Sequence, residues 1–147
     1  MKKTSALGIN LIKEFEGFSA TRYLCPGGKL TIGYGHVIRE DERDTLHNIT
    51  KLEAESLLTN DVCVAEDAIC RLVNVSINQN QYDALVSFIY NVGVGAFARS
   101  TLLRHINNGE FEKAAEQFQR WIYSSGKKLS GLIRRREAEA ELFTTPE

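Results

Sequence analysis

Cysteine is scarce in this chain: Cys25, Cys63 and Cys70 are too few and too odd in number for a disulfide framework. Cys63 and Cys70 stand seven apart in a stretch of helical period, which would put their Cα atoms about 10 Å apart, beyond disulfide reach. Free thiols and synthesis in a reducing compartment are expected. Long apolar runs are also missing. Met1-Lys2-Lys3 carries the charge of a secretory signal, but no apolar stretch of about seven residues follows it. Nothing approaches the roughly 20 residues that span a bilayer, so export by a conventional signal is not expected. Nor is there an excess of one charge. Eighteen Lys and Arg oppose 19 Asp and Glu, for a net charge of -1, which excludes a surface that is a polycation throughout. Internal repeats, low-complexity tracts and linkers are not evident, and His36, His47 and His105 have no identifiable partners at metal-ligand spacing.

What is present reads as one globular domain. The chain has 147 residues and 43% hydrophobic content, enough to bury a real core. Charge is uneven along it: residues 40–67 hold nine acids against two bases, and 96–136 hold nine bases against three acids. Ser5 is placed to cap a helix carrying Ile9, Leu11, Ile12 and Phe15, with Gly17 as its stop. From Phe18 to Val37 a Pro26-Gly27-Gly28 turn between β-favouring runs predicts a hairpin or small antiparallel sheet. Everything later reads as helical in period. Thr50 and Glu53 match a capping box, and Asn78 with Gln81 offers a second start. The helix carrying Tyr82, Leu85, Val86, Ile89 and Val92 has the broadest apolar face and is the candidate central helix. Further helices are expected over about 100–107 and 110–123, and a last one from near Ser130. The fold class is therefore α+β: mostly helical, with a small antiparallel sheet near the amino terminus and a helical carboxyl-terminal bulk.

Glu16 is the first candidate for chemistry. It sits where a helix gives way to irregular chain, between Phe15 and Phe18, and an apolar setting disfavours an ionised carboxylate, as a general acid requires. Alone, a glutamate in a last helical turn is more often solvated. Its context is a string: Glu16-Gly17, then Cys25 nine positions on, then Thr31 six beyond that in Thr31-Ile32-Gly33-Tyr34-Gly35-His36. This string resembles the catalytic pattern of the phage T4-type lysozyme family, glycoside hydrolase family 24, with Cys25 where the best-known member has aspartate. The likeness continues through Asn80-Gln81-Tyr82-Asp83-Ala84-Leu85, Asn91-Val92-Gly93 and Gly131-Leu132-Ile133-Arg134-Arg135-Arg136-Glu137, covering essentially the whole chain.

The resemblance implies a lysozyme-like fold in one catalytic domain over 1–147, with a β-containing lobe at about 14–60 and a helical lobe at about 61–147 joined by the amino-terminal helix. It implies a phage or prophage endolysin, a muramidase that hydrolyses the bond between N-acetylmuramic acid and N-acetylglucosamine in peptidoglycan. Glu16 would be the general acid, with Cys25 and Thr31 positioning or activating the nucleophile. An unperturbed thiol is only a few per cent ionised at neutral pH, and Pro26 adds no backbone donor to help it. Water held for an inverting displacement is therefore preferred to direct thiolate attack. By the same resemblance Val37, Tyr90 and Gln117 contact substrate, and His36 pairs with Asp61 to tie the sheet to the long helix. Cys63 and Cys70 are read as small buried hydrophobes. No cofactor or metal is implied, and a monomer is expected.

Lys127, Lys128, Arg134, Arg135 and Arg136 place five positive charges within eleven residues. They suit either a contact with the anionic wall or outer-membrane lipopolysaccharide, or a solvated helix face whose arginines pair with Glu137, Glu139 and Glu141. Two other readings of the chain are a thiol peptidase or amidase using Cys25 and His36, and an inactive wall-binding module. The expected itinerary is synthesis in the host cytoplasm and release to the periplasm and wall through a separate holin-like protein. The length matches a catalytic domain alone, so wall affinity is expected from that domain.

Overall fold

The computed structural model describes residues 2–147. Helix α1 (Ala6–Glu16) ends where expected: Gly17 takes φ +69°, a conformation that suits glycine, and its N–H donates to the Lys13 carbonyl at 2.9 Å. The chain turns at once into an antiparallel sheet of β1 (Ser19–Leu24), β2 (Leu30–Gly33) and β3 (His36–Val37), in the order β1-β2-β3. Its register sets Tyr23 against Thr31, Thr31 against Val37, and Ile32 against His36. The β1–β2 connection is a tight turn in which the Cys25 N–H donates to the Lys29 carbonyl at 3.0 Å and the Gly28 N–H to the Cys25 carbonyl at 2.7 Å.

Helices build the rest. Helix α2 (Lys51–Leu72) opens with the Thr50–Glu53 capping box and α3 (Gln79–Val92) with the Asn78–Gln81 box; both are reciprocal. Tyr82 through Ile89 are all buried, so α3 is the central helix, packed by α1, α2 and the last helix, α7 (Ser130–Thr144). Phe88 meets Phe97, Phe118 and Trp121 edge to face. Short helices follow: α4 (Val94–Ala98) against α3 and α2, then α5 (Thr101–Asn107) packed on α6 (Phe111–Gln117), which meets α7.

Several local expectations are corrected. Ser5 precedes α1, yet its hydroxyl makes no cap bond; it donates instead to the buried Asp83 carboxylate on α3, which also takes the Ser5 N–H at 3.0 Å. A long-range charged acceptor has displaced the local one. The helix expected over 110–123 stops at Gln117, passes through a 3-10 turn at Phe118–Arg120 and gives way to a second hairpin, β4 (Tyr123–Ser124) with β5 (Lys127–Lys128). Strands of two residues are too short to show a period. The signal that was there is Ser125-Gly126, whose φ values of +51° and +78° suit a two-residue hairpin loop. Cys63 and Cys70 are free, as expected, but exposed rather than buried, because the inward face of α2 is carried by Leu58, Val62, Ala65 and Ile69.

Candidate active site

A cleft of about 530 Å³ runs between the sheet and the helices. Glu16 enters it from the end of α1, Cys25 from the β1–β2 turn, Thr31 from β2, Val37 from β3 and Tyr90 from the last turns of α3. The fold thus brings five sequence-selected residues to one cavity. Gln117 is not among the lining residues: α6 ends at that point, and Trp121 and Tyr123 form that side of the wall. Neither of these aromatics was singled out in the sequence. Tyr123, 60% exposed on a hairpin, is a large apolar side chain left in solvent beside a cavity.

Glu16 does not have the apolar setting expected for it. Its carboxylate lies 2.6 Å from Arg135 Nη1, an arginine on α7 that is 4% exposed. Space for this contact comes from Gly35: its φ of +83° favours glycine, and any Cβ there would overlap the Glu16 carboxylate. Arg135 is fixed in turn, donating through Nη2 to the Ser87 carbonyl at 3.1 Å and through Nε to Glu139 at 3.2 Å. Arg136 is also buried. The basic stretch is therefore divided, with Lys127, Lys128 and Arg134 exposed and Arg135 and Arg136 in the core, paired with Glu139. A triplet of arginines looks solvated in sequence, but α7 lies on α3 and turns two of the three inward.

Cys25 is half-buried. Partial burial pushes its thiol up, but the backbone N–H groups of Lys29 and Gly27 and the Lys29 charge oppose that push and hold it below its ordinary value. Pro26 offers no N–H, as expected; the donors come from further along the same turn. Thr31 is buried, and its hydroxyl donates to the Lys29 carbonyl at 2.8 Å, which leaves its oxygen free to accept. The Tyr90 hydroxyl donates to the Tyr34 carbonyl at 2.8 Å, presenting the ring to the cleft as a fixed wall.

His36 is buried outside the cleft. Its Nδ1 lies 2.7 Å from Asp61 on α2 and its Nε2 2.9 Å from Glu42, in the 3-10 turn Glu40–Glu42. The bond to Asp61 raises the imidazole's pKa, against the opposing effect of burial and with further help from Glu42. His105, for which no partner was visible in sequence, sits 3.0 Å from Glu110. Among the described residues no group of three or more His, Cys, Asp or Glu is arranged to hold a metal ion.

A mostly helical chain with a small amino-terminal antiparallel sheet and a glutamate at the cleft end of the first helix has the architecture of the lysozyme-like proteins. The phage lysozyme family profile matches residues 13–139, and the chain belongs to that family. It is 47% identical over 145 residues to an endolysin of Bacillus phage B103, an alignment that covers 97% of this chain and 54% of that protein; the chain thus spans about half the length of that relative. It is 41% identical over 145 residues to an endolysin of Salmonella phage P22, covering 97% of this chain and 99% of that one. Among solved structures, the muramidase domain of SpmX from Asticaccaulis excentricus superposes with a TM-score of 0.87 at 39% identity, covering 99% of this chain and 100% of that one.

Proposed function

We propose that this chain is the catalytic domain of a phage or prophage endolysin, a muramidase of the T4-type glycoside hydrolase class that cleaves the β-1,4 bond between N-acetylmuramic acid and N-acetylglucosamine. The observation that carries the reading is the placement of Glu16, Cys25 and Thr31 on one cleft, with Glu16 held by a buried arginine. Glu16 protonates the glycosidic oxygen, so that the sugar–oxygen bond breaks toward an oxocarbenium-like centre. A water held between the Cys25 sulfur and the Thr31 oxygen attacks that centre, and its proton passes to sulfur. The environment of Cys25 holds its thiol below the ordinary value, which supports the role of base at a position where the best-known family member has aspartate. Val37, Tyr90, Trp121 and Tyr123 line the path of the sugars; aromatic faces suit the apolar faces of N-acetylated rings. His36 and Asp61 hold the sheet to α2, and 1–147 acts as one domain with its β-containing part at about 14–60.

The same reading places the protein in the host cytoplasm until a holin-like partner opens the membrane, then at the wall; the endolysin names of its relatives support the last of these, action at the wall. The thiol-peptidase reading is disfavoured, because both ring nitrogens of His36 are taken by carboxylates and neither is free to serve Cys25. Mass spectrometry of peptidoglycan digested by the parent and by Glu16→Gln tests the proposal. New muramic-acid reducing ends are expected from the parent, with a loss of about 10²–10⁴-fold in the variant. New amino groups without new reducing ends would overturn the assignment.

A further inference from the structure

Behind Glu16 lies a buried ionic cluster that the cleft chemistry does not use. Arg135, Arg136 and Glu139 on α7 are all buried, with Arg136 and Glu139 completely so, and Ser87 of α3 joins them. Glu139 Oε2 accepts from Ser87 Oγ at 2.5 Å, from Arg135 Nε at 3.2 Å and from Arg136 Nη2 at 3.3 Å, while its Oε1 lies 2.8 Å from Arg136 Nε. Burial pushes the Glu139 carboxyl up, and the two guanidiniums and the Ser87 hydroxyl, all donors to it, oppose that push and stabilise its ionised form. The Arg136 guanidinium stands 5.0 Å from the Phe88 ring centroid, and its Nη1 is buried with no hydrogen-bond partner. A site of this kind is a poor means of holding a helix down, because apolar residues of similar volume are often as stabilising as a buried ion pair.

Counted with Glu16, the cluster contains two guanidiniums and two carboxylates, and it is neutral only when Glu16 is ionised. Glu16 alone among the four reaches the cleft. We infer that Arg136 and Glu139, neither of which touches the cleft, are positioning residues that set the net charge Arg135 presents to Glu16, and thereby the pH above which the enzyme stops. The inference rests on the general-acid reading of Glu16. Charges a few ångströms apart in a poorly screened interior couple strongly, so loss of either residue unbalances the cluster in a direction fixed by its sign. The other titratable groups coupled to this cluster are Tyr23 of β1, which feels Glu16, and Tyr90 of α3, which feels Glu16 and Arg135; Cys25 lines the same cleft as Glu16. Asp83 of α3 is occupied by Ser5 and Gln79. All of them are unchanged in the variants below.

The test is the pH profile of kcat/KM for four proteins: the parent, Glu139→Gln, Arg136→Met, and the double variant carrying both. Glu139→Gln leaves an uncompensated positive charge that favours ionised Glu16, so the alkaline limb moves to lower pH, by about one pH unit or more. Arg136→Met leaves an uncompensated negative charge, and the limb moves up. The double variant restores neutrality, and its limb returns to the parent position. A purely structural role would lower melting temperatures and leave the limbs together; coincident limbs, or limbs displaced in the same direction, would overturn the inference. Carbon-13 NMR of the Glu16 carboxyl, assigned with Glu16→Gln, reads the same order of midpoints without catalysis. A parent that releases no new reducing ends would thus sink the general-acid reading, while the NMR series still decides the charge coupling. If Glu139→Gln does not fold, Arg136→Met and the double variant retain the predicted difference.

Discussion

Cys25 has a thiol whose acidity is raised by the turn it closes. In sequence it stands beside a proline that contributes no N–H; in the fold, the N–H groups of Lys29 and Gly27 and the Lys29 charge outweigh the effect of partial burial. A lower pKa populates the thiolate, the form that can take a proton from water. Cys25→Ser is therefore expected to lower kcat on purified cell walls by about 10²-fold, since a hydroxyl is not basic at neutral pH. Cys25→Asp restores a base at the same position and is expected to recover most of the activity. Full activity in the serine variant would make Cys25 a structural residue.

At the scale of elements, a buried imidazole ties the sheet to the long helix. His36 on β3 is held by Asp61 on α2 and by Glu42 in the turn between them. Its folded-state pKa is raised above the value of about 6.5 for an unfolded chain. Its contribution to stability is therefore fully present below about pH 6.5 and is lost as pH rises through the folded-state value. Asp61→Asn is expected to cost about 2 kcal/mol near pH 5–6 and less near pH 9. The His36 titration followed by NMR should move down in the variant; a His36 titration that stays in place would remove Asp61 as the cause. Most elements were legible in the sequence: both capping boxes, the stop at Gly17 and the first hairpin follow from interactions within a few residues. The second hairpin was not, because its strands are two residues long and only Ser125-Gly126 marked it.

Over the whole molecule, the near-zero net charge conceals an acidic segment and a basic one, but burial changes what the basic segment can do. Arg135 and Arg136 are spent on the interior, leaving Lys127, Lys128 and Arg134 on the surface. Any attraction to an anionic wall or to lipopolysaccharide falls to these three and to other exposed bases such as Arg120. Replacing Lys127, Lys128 and Arg134 together by glutamine is expected to weaken wall binding several-fold at low salt and to flatten its salt dependence, because exposed charges are screened over about 10 Å at 0.1 M salt. An unchanged salt slope would make them an ordinary solvated face.

By itself, the sequence determined the α+β class, the order of the main elements, and the string from Glu16 through Cys25 to Thr31, because caps, turns and periodicity act over a few residues. It also contained Arg135, 119 positions from Glu16, but nothing local connects the two. Only the tertiary structure decided that α7 lies on α3 with two arginines inward, that Gly35 clears room for the Glu16 carboxylate, and that Trp121 and Tyr123 wall the cleft where Gln117 was expected. The reason is packing: a charged triplet reads as solvated under any helical period, and which of its members is buried depends on the face that a neighbouring helix covers.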